Sequence, residues 1–85
     1  GLFRKGLFLP AEDIHWIRED LRLEQGQERI MDFRIRYRQP LQKGKMFMRQ
    51  EGAYLIFEEP QRGITPGQFA AWYVNNELLG SGVIA

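Results

Sequence analysis

Eighty-five residues suffice for one domain with one modest core and are too few for two. The composition, 44% hydrophobic and 27% charged with a net charge of +1, can build that core and argues against wholesale disorder. The absence of cysteine excludes disulfides, thiolate metal sites and cysteine nucleophiles, and no apolar run reaches the roughly 18–20 residues of a membrane span.

In chain order, Leu2–Leu9 reads as a strand. Pro10 to Glu24 carries a weak helical pattern, with Ile14, Ile17 and Leu21 on one face, Pro10 near the start and Gly26 past the end. The clearest periodicity runs from Ile30 to Arg38, where Met31, Phe33, Ile35 and Tyr37 alternate with Asp32, Arg34, Arg36 and Arg38. Successive strand residues face opposite sides, so this predicts one strand with an apolar face and an arginine face, ended by Pro40.

Lys45–Gln50 and Ala53–Glu58 read as strands joined through Glu51-Gly52, a hairpin signal because glycine accepts a positive φ. The unbroken run Tyr54-Leu55-Ile56-Phe57 predicts burial on both sides. Pro60 to Gly67 reads as a loop with Pro66-Gly67 central to a type II turn. Gln68–Val74 and Glu77–Ile84 are the last strands, joined by a tight turn at Asn75-Asn76, and Gly80 and Gly82 suggest a bulge or a close backbone approach. The expected fold is all-β: a small antiparallel barrel of about six strands.

The charge is unevenly spread. Residues 1–28 hold four basic and six acidic groups, residues 29–49 seven basic groups against Asp32 alone, and residues 50–85 only Arg62 against four glutamates. A basic segment of this kind attracts an anionic polymer. On a strand, Arg34, Arg36 and Arg38 would project from one face at intervals of about 6.6–7 Å, and their guanidinium forks suit phosphate oxygens. The alternative is a solvated face paired with nearby glutamates.

Other residues point to no chemistry. Glu58 and Glu59 are adjacent on a strand and cannot flank one substrate atom. His15, the only histidine, has no cysteine or second histidine with which to hold a metal. Gly80-Ser81-Gly82 lacks the third glycine and following helix of a dinucleotide fingerprint. Trp16 and Trp72 are expected in the core.

Four stretches in order carry a resemblance: Asp13-Ile14-His15-Trp16-Ile17; Ile35-Arg36-Tyr37-Arg38-Gln39-Pro40; Glu58 through Gln68; and Trp72-Tyr73 with Leu79-Gly80-Ser81-Gly82-Val83-Ile84. Together they resemble the C-terminal end of bacterial and mitochondrial tRNA-specific 2-thiouridylases, densely from Arg34 to Ile84. The first stretch has His15 where the family usually has Asn, and Lys43-Gly44-Lys45 stands near where many members carry a cysteine.

The resemblance implies that residues 1–85 are a single C-terminal barrel, related to translation-factor barrels, of a larger enzyme with an N-terminal ATP-pyrophosphatase domain and a central domain. A start at Gly1 without Met fits such a piece. It also implies strand and loop, rather than helix, through Asp13–Ile17. The implied parent activity is 2-thiolation of the wobble uridine in tRNAs for Lys, Glu and Gln. ATP with Mg, a Ser-Gly-Gly-x-Asp-Ser phosphate loop and two catalytic cysteines serve it elsewhere in the parent, so this domain is expected to be non-catalytic and to need no cofactor. Expected partners are the tRNA anticodon arm, the enzyme's own N-terminal and central domains and sulfur-relay proteins. No membrane is expected, and the location is cytoplasmic.

By the same resemblance Arg36, Tyr37 and Gln68 contact tRNA. Arg34, Arg38 and Arg62 are plausible added phosphate contacts, and Lys43 and Lys45 weaker ones. From its position on the apolar face Tyr37 has a competing role in the core or barrel rim, and Gln68 in hydrogen-bonding its turn. Two other readings stand beside tRNA binding. One is a barrel that docks on another domain or a sulfur-relay partner through an apolar patch around Phe3, Leu7 and Phe8; the other is an unrelated translation-factor-like barrel.

Overall fold

The computed structural model describes residues 3–85, so Leu2 of the first predicted strand lies outside them. Seven strands form one antiparallel sheet: β1 (Phe3–Pro10), β2 (Ile14–Trp16), β3 (Glu28–Arg34), β4 (Gln42–Met48), β5 (Gly52–Arg62), β6 (Phe69–Val74) and β7 (Glu77–Val83). Their order across the sheet is β1-β5-β4-β3-β6-β7-β2. The sheet curls into a half-barrel, and the Ala85 amide, just past β7, donates to the Phe8 carbonyl on β1 at 3.0 Å. The expected all-β antiparallel barrel architecture holds, with one strand more than anticipated.

Alternation determines the inside. Met31 and Phe33 of β3, Met46 and Met48 of β4, Leu55 and Phe57 of β5 and Trp72 of β6 all point into the core. Phe33 and Phe57 meet edge-on at 5.8 Å, and Trp16 meets Trp72 at 5.4 Å. Each such buried ring stabilises the fold by about 2–3 kcal/mol relative to exposure. The run Tyr54–Phe57 is not buried on both sides, because Tyr54 is 38% and Ile56 44% exposed on the outer face. β-Propensity filled both faces of β5 with large side chains, although only one face is covered.

The weak helical pattern over 10–24 is not realised, and the strand-and-loop course that the resemblance implies through Asp13–Ile17 is. One-turn 3₁₀ segments at Ala11–Asp13 and Glu19–Leu21 flank β2, which pairs with Gly80–Gly82 of β7. Ile17 is 52% exposed, so Ile14, Ile17 and Leu21 never form one buried face. What holds the segment is Trp16, inserted against Trp72, and the Ile17 and Arg18 amides donating to the Leu79 carbonyl at 2.8 and 3.1 Å. Gly80 makes this possible: a Cβ there would lie 2.7 Å from the His15 carbonyl and 2.9 Å from Trp72 Nε1. A bulge opposite Trp72/Tyr73 lies beside it.

Two connections match the sequence reading. Asn75 and Asn76 turn with φ of 51° and 66°, and Gly67 at φ 91° closes its turn through the Gln68 amide and Thr65 carbonyl at 3.3 Å. Elsewhere the boundaries move. The β4–β5 hairpin turns through Gln50-Glu51, with Arg49 and Gly52 exchanging both backbone bonds. β5 runs on through Pro60 to Arg62, because Pro60 falls where the ladder to β1 shifts register between Arg4 and Gly6.

Candidate nucleic-acid interface

The strand predicted to reach Arg38 stops at Arg34, whose partner Ala71 is the last residue pair between β3 and β6. Residues 35–39 leave the sheet as a turn. The cause is Gln39. Its side-chain Oε1 accepts the Ile35 and Arg36 amides at 3.1 and 3.4 Å, and its own amide donates to the Arg36 carbonyl at 3.1 Å. Amides that a longer strand would spend on a neighbour are satisfied locally, as side-chain amides commonly do in turns. Arg34, Arg36 and Arg38 therefore do not line one strand face. Tyr37 is not on the apolar face either: it is 88% exposed at the tip.

The turn is anchored from below. Gln39 Nε2 donates to Gln61 Oε1 at 2.8 Å. Gln61 is only 5% exposed, and its Nε2 donates to the Glu59 carbonyl at 2.9 Å and to Gln42 Oε1 at 3.3 Å. Arg36 adds a second tether, donating through Nη2 to the Gly63 carbonyl at 3.0 Å. Gly63 sits at φ +72°, and a Cβ there would fall 2.0 Å from Arg36 Nη2, so only glycine admits the guanidinium at this spot. The turn after β3 and the loop after β5 are thus joined into one corner. Gln68 stands in the second loop, where its Oε1 accepts the Thr65 amide at 3.0 Å. Its turn-bonding role is realised.

Among the described residues the two lysines of the basic segment meet carboxylates and its five arginines do not. Lys43 pairs with Asp32 at 3.4 Å and Lys45 with Glu28 at 2.9 Å. Arg29 donates to the Leu21 carbonyl at 2.6 Å, and Arg49 to the Met48 carbonyl at 2.9 Å. Among the described residues Arg34, Arg36, Arg38 and Arg62 have no carboxylate within ion-pair distance. The Cζ of Arg34 lies over the Tyr73 ring, 5.4 Å from its centroid, a neutral partner that leaves its charge in place.

Arg34, Arg36 and Tyr37 line a pocket of about 240 Å³ together with Ile35, Phe69 and Tyr73. Phe69, 66% exposed, was not among the residues picked from sequence. Its signal was nonetheless present. In β6, Ala70 and Trp72 point inward, so Phe69, Ala71 and Tyr73 must face out beside Arg34.

The patch expected at Phe3, Leu7 and Phe8 does not form as such. Leu7 is buried and Phe8 is half-buried against Tyr54 at 4.8 Å, leaving Phe3 exposed. Among the described residues no cluster of His, Asp and Glu is placed to hold a metal. Among the described residues the helical elements are three-residue 3₁₀ turns, and Gly80-Ser81-Gly82 lies within β7. No membrane-length apolar helix is present among the described residues.

A family model described as an aminomethyltransferase beta-barrel domain matches residues 8–84. The chain is 54% identical over 85 residues to a tRNA-specific 2-thiouridylase, MnmA, of Flavobacterium johnsoniae, and 51% identical to that of Christiangramia forsetii, each match covering 100% of this chain and 22% of the relative. It is 36% identical over 87 residues to mitochondrial tRNA-specific 2-thiouridylase 1 of Gallus gallus, covering 99% of this chain and 20% of that protein. The chain thus spans about a fifth of the length of the curated relatives it matches. By its match along nearly every residue, the chain belongs to the tRNA-specific 2-thiouridylase family, as that family's C-terminal β-barrel domain.

Proposed function

We propose that this domain grips the anticodon arm of tRNA for an ATP-dependent tRNA-uridine 2-sulfurtransferase acting on the wobble uridine of tRNAs for Lys, Glu and Gln. One observation carries the reading: Arg34, Arg36 and Arg38 are gathered with exposed Tyr37 at one tethered corner, and among the described residues no carboxylate lies within ion-pair distance of them. Guanidinium groups in that state bind phosphate oxygens and supply affinity and register, while exposed aromatics stack on splayed bases. Arg62, beside Gly63, adds charge at the end of β5. Gln68 contributes by holding its loop, and a direct contact from it uses the amide nitrogen that the turn leaves free.

The chemistry itself belongs elsewhere in the parent. Sulfur transfer through a persulfide needs cysteine, and this chain has none. In this reading ATP with Mg and the catalytic cysteines belong to the N-terminal domain of a cytoplasmic parent that is served by sulfur-relay proteins. The single domain over 1–85 holds the substrate and does not react with it.

The test is a salt series of tRNA binding by the full-length protein carrying Arg38→Ala, because among the described residues the Arg38 side chain makes no ion pair that its loss would break. The slope of log K against log salt should flatten by about 0.7–0.9. Arg36→Ala should act likewise and also loosen the Gly63 loop. An unchanged affinity and slope in both variants would remove the reading. A second role would then fall to the outer face of β3–β5, where Ile30 and Ile56 are 57% and 44% exposed on either side of Lys45, as a surface for docking another domain.

A further inference from the structure

We infer that the pocket between the Arg34–Arg38 corner and β6 is a receptor for one unpaired nucleobase; this rests on the RNA-binding reading and names what the site takes beyond phosphate. The geometry comes from register. Arg34 is paired directly with Ala71, and Phe69 and Tyr73 stand two residues to either side of Ala71 on the same outward face. Tyr73 is covered by the Arg34 guanidinium at 5.4 Å. Phe69 is covered by nothing comparable and is 66% exposed. Ala71, with only a methyl group, forms the low floor between them, and Ile35, Arg36 and Tyr37 close the side toward the turn.

Residues 69 and 73 are about 13 Å apart along the strand, so the low floor between their side chains leaves room for a planar ring. The large aromatic face of Phe69 left in water is costly unless something flat covers it. The occupant must also suit the charge around it. The lining contains three aromatic rings, two arginines and no carboxylate. A planar group joined to an anion satisfies both conditions, which is the description of a nucleotide. The base has to be unpaired, because bases inside an A-form helix do not present their faces to side chains. An acidic peptide bearing an aromatic residue has related chemistry but lacks a reason to place a bare ring against Phe69 within reach of several guanidinium groups.

The experiment uses the full-length protein and an unmodified transcript of tRNA for Glu, with abasic substitutions scanned through the unpaired positions of the anticodon loop. Two variants leave the arginines intact: Phe69→Ala removes a wall, and Ala71→Leu fills the floor. Each should weaken binding about tenfold, as loss of one stacked base does, while the salt slope stays at the wild-type value. One abasic position should weaken binding to the wild type by a similar factor and have no further effect on Phe69→Ala. A protein partner recruited by the pocket would appear as Phe69→Ala leaving tRNA affinity unchanged, and that result overturns the inference. So does an equal loss of binding to a fully duplex RNA of similar length. If Arg38→Ala flattens the slope while Phe69→Ala and Ala71→Leu do nothing, RNA binding stands and the base receptor falls. If none of the three changes anything, both fall together.

Discussion

Two turns of this molecule carry arginines, and they use them in opposite ways. After β2, Arg18 donates to both oxygens of Asp20, at 2.9 and 2.6 Å, and reaches Glu77 on β7, while Arg22 lies 3.5 Å from Glu19. After β3, Arg36 donates to a backbone carbonyl and Arg34 lies over a ring, neither meeting a carboxylate among the described residues. The first turn spends its cations on the fold. The second keeps their charge and uses neutral groups to hold them. Net charge along the sequence does not separate these cases, since Lys43 and Lys45 belong to the same basic segment and are neutralised across the sheet. What makes a site is charge that remains unpaired after folding.

The largest expected break between the two turns is in RNA affinity. Replacing Arg34 and Arg38 together by Ala in the full-length protein should weaken tRNA binding on the order of a hundredfold near 0.1 M salt, at about 1.5 kcal/mol or more per charged hydrogen bond lost. The salt slope should flatten by roughly two contacts. Replacing Arg18 and Arg22 together by Ala removes the same formal charge and should change neither quantity. Equal losses from the two double substitutions, read from titrations at four salt concentrations, would mean that overall charge and not the corner attracts RNA.

A smaller effect tests how the second turn is held. Gln61→Leu keeps the side chain's size but leaves Gln39 Nε2 without its acceptor in a half-buried place. The expected loss is about 1–3 kcal/mol in denaturant unfolding. Faster hydrogen exchange should be confined to the amides of Ile35 and Arg36, which Gln39 serves. Uniformly faster exchange would make Gln61 an ordinary core residue and not the anchor of this turn.

Much of this architecture was legible in the residues, and the failures share a cause. Met31/Phe33 and Ala70/Trp72 announced their faces by alternation, and Asn75-Asn76 announced its turn by tolerance of positive φ. The same alternation, continued from Ile35 to Tyr37, misled, because a period of two describes side chains and says nothing of where an amide finds its acceptor. Gln39 decides that, through bonds to residues 35 and 36, and its own support comes from Gln61, 22 positions away. The helical pattern at Ile14, Ile17 and Leu21 failed for a related reason: Trp16 packing on Trp72, 56 positions on, outweighs a weak local preference. At the corner, the arginines could be named from sequence. The outward face of Phe69 could be read from the alternation of β6, but its place beside Arg34 could not, since that depends on which strand lies beside β3.

The smallest effect separates the turns by pH. Asp20's carboxyl is held below its ordinary value of 3.8, chiefly by the hydrogen bonds from Arg18, whose own pKa is raised by Asp20 and Glu77. A carboxyl with a depressed folded-state pKa contributes stability that is present above its unfolded value and lost as pH falls through the folded one. Asp20→Asn should therefore lower the melting temperature slightly at pH 7, by an amount that shrinks with added salt because the pair is exposed. The difference from wild type should fade as the pH drops below 3.8. Arg34 and Arg38 face no carboxylate among the described residues, so the second turn holds no pair of this kind. A difference between Asp20→Asn and wild type that persisted unchanged from pH 7 to pH 3 would show that Asp20 serves the first turn through shape, and the contrast between a turn that spends its charge and one that keeps it would rest on the second turn alone.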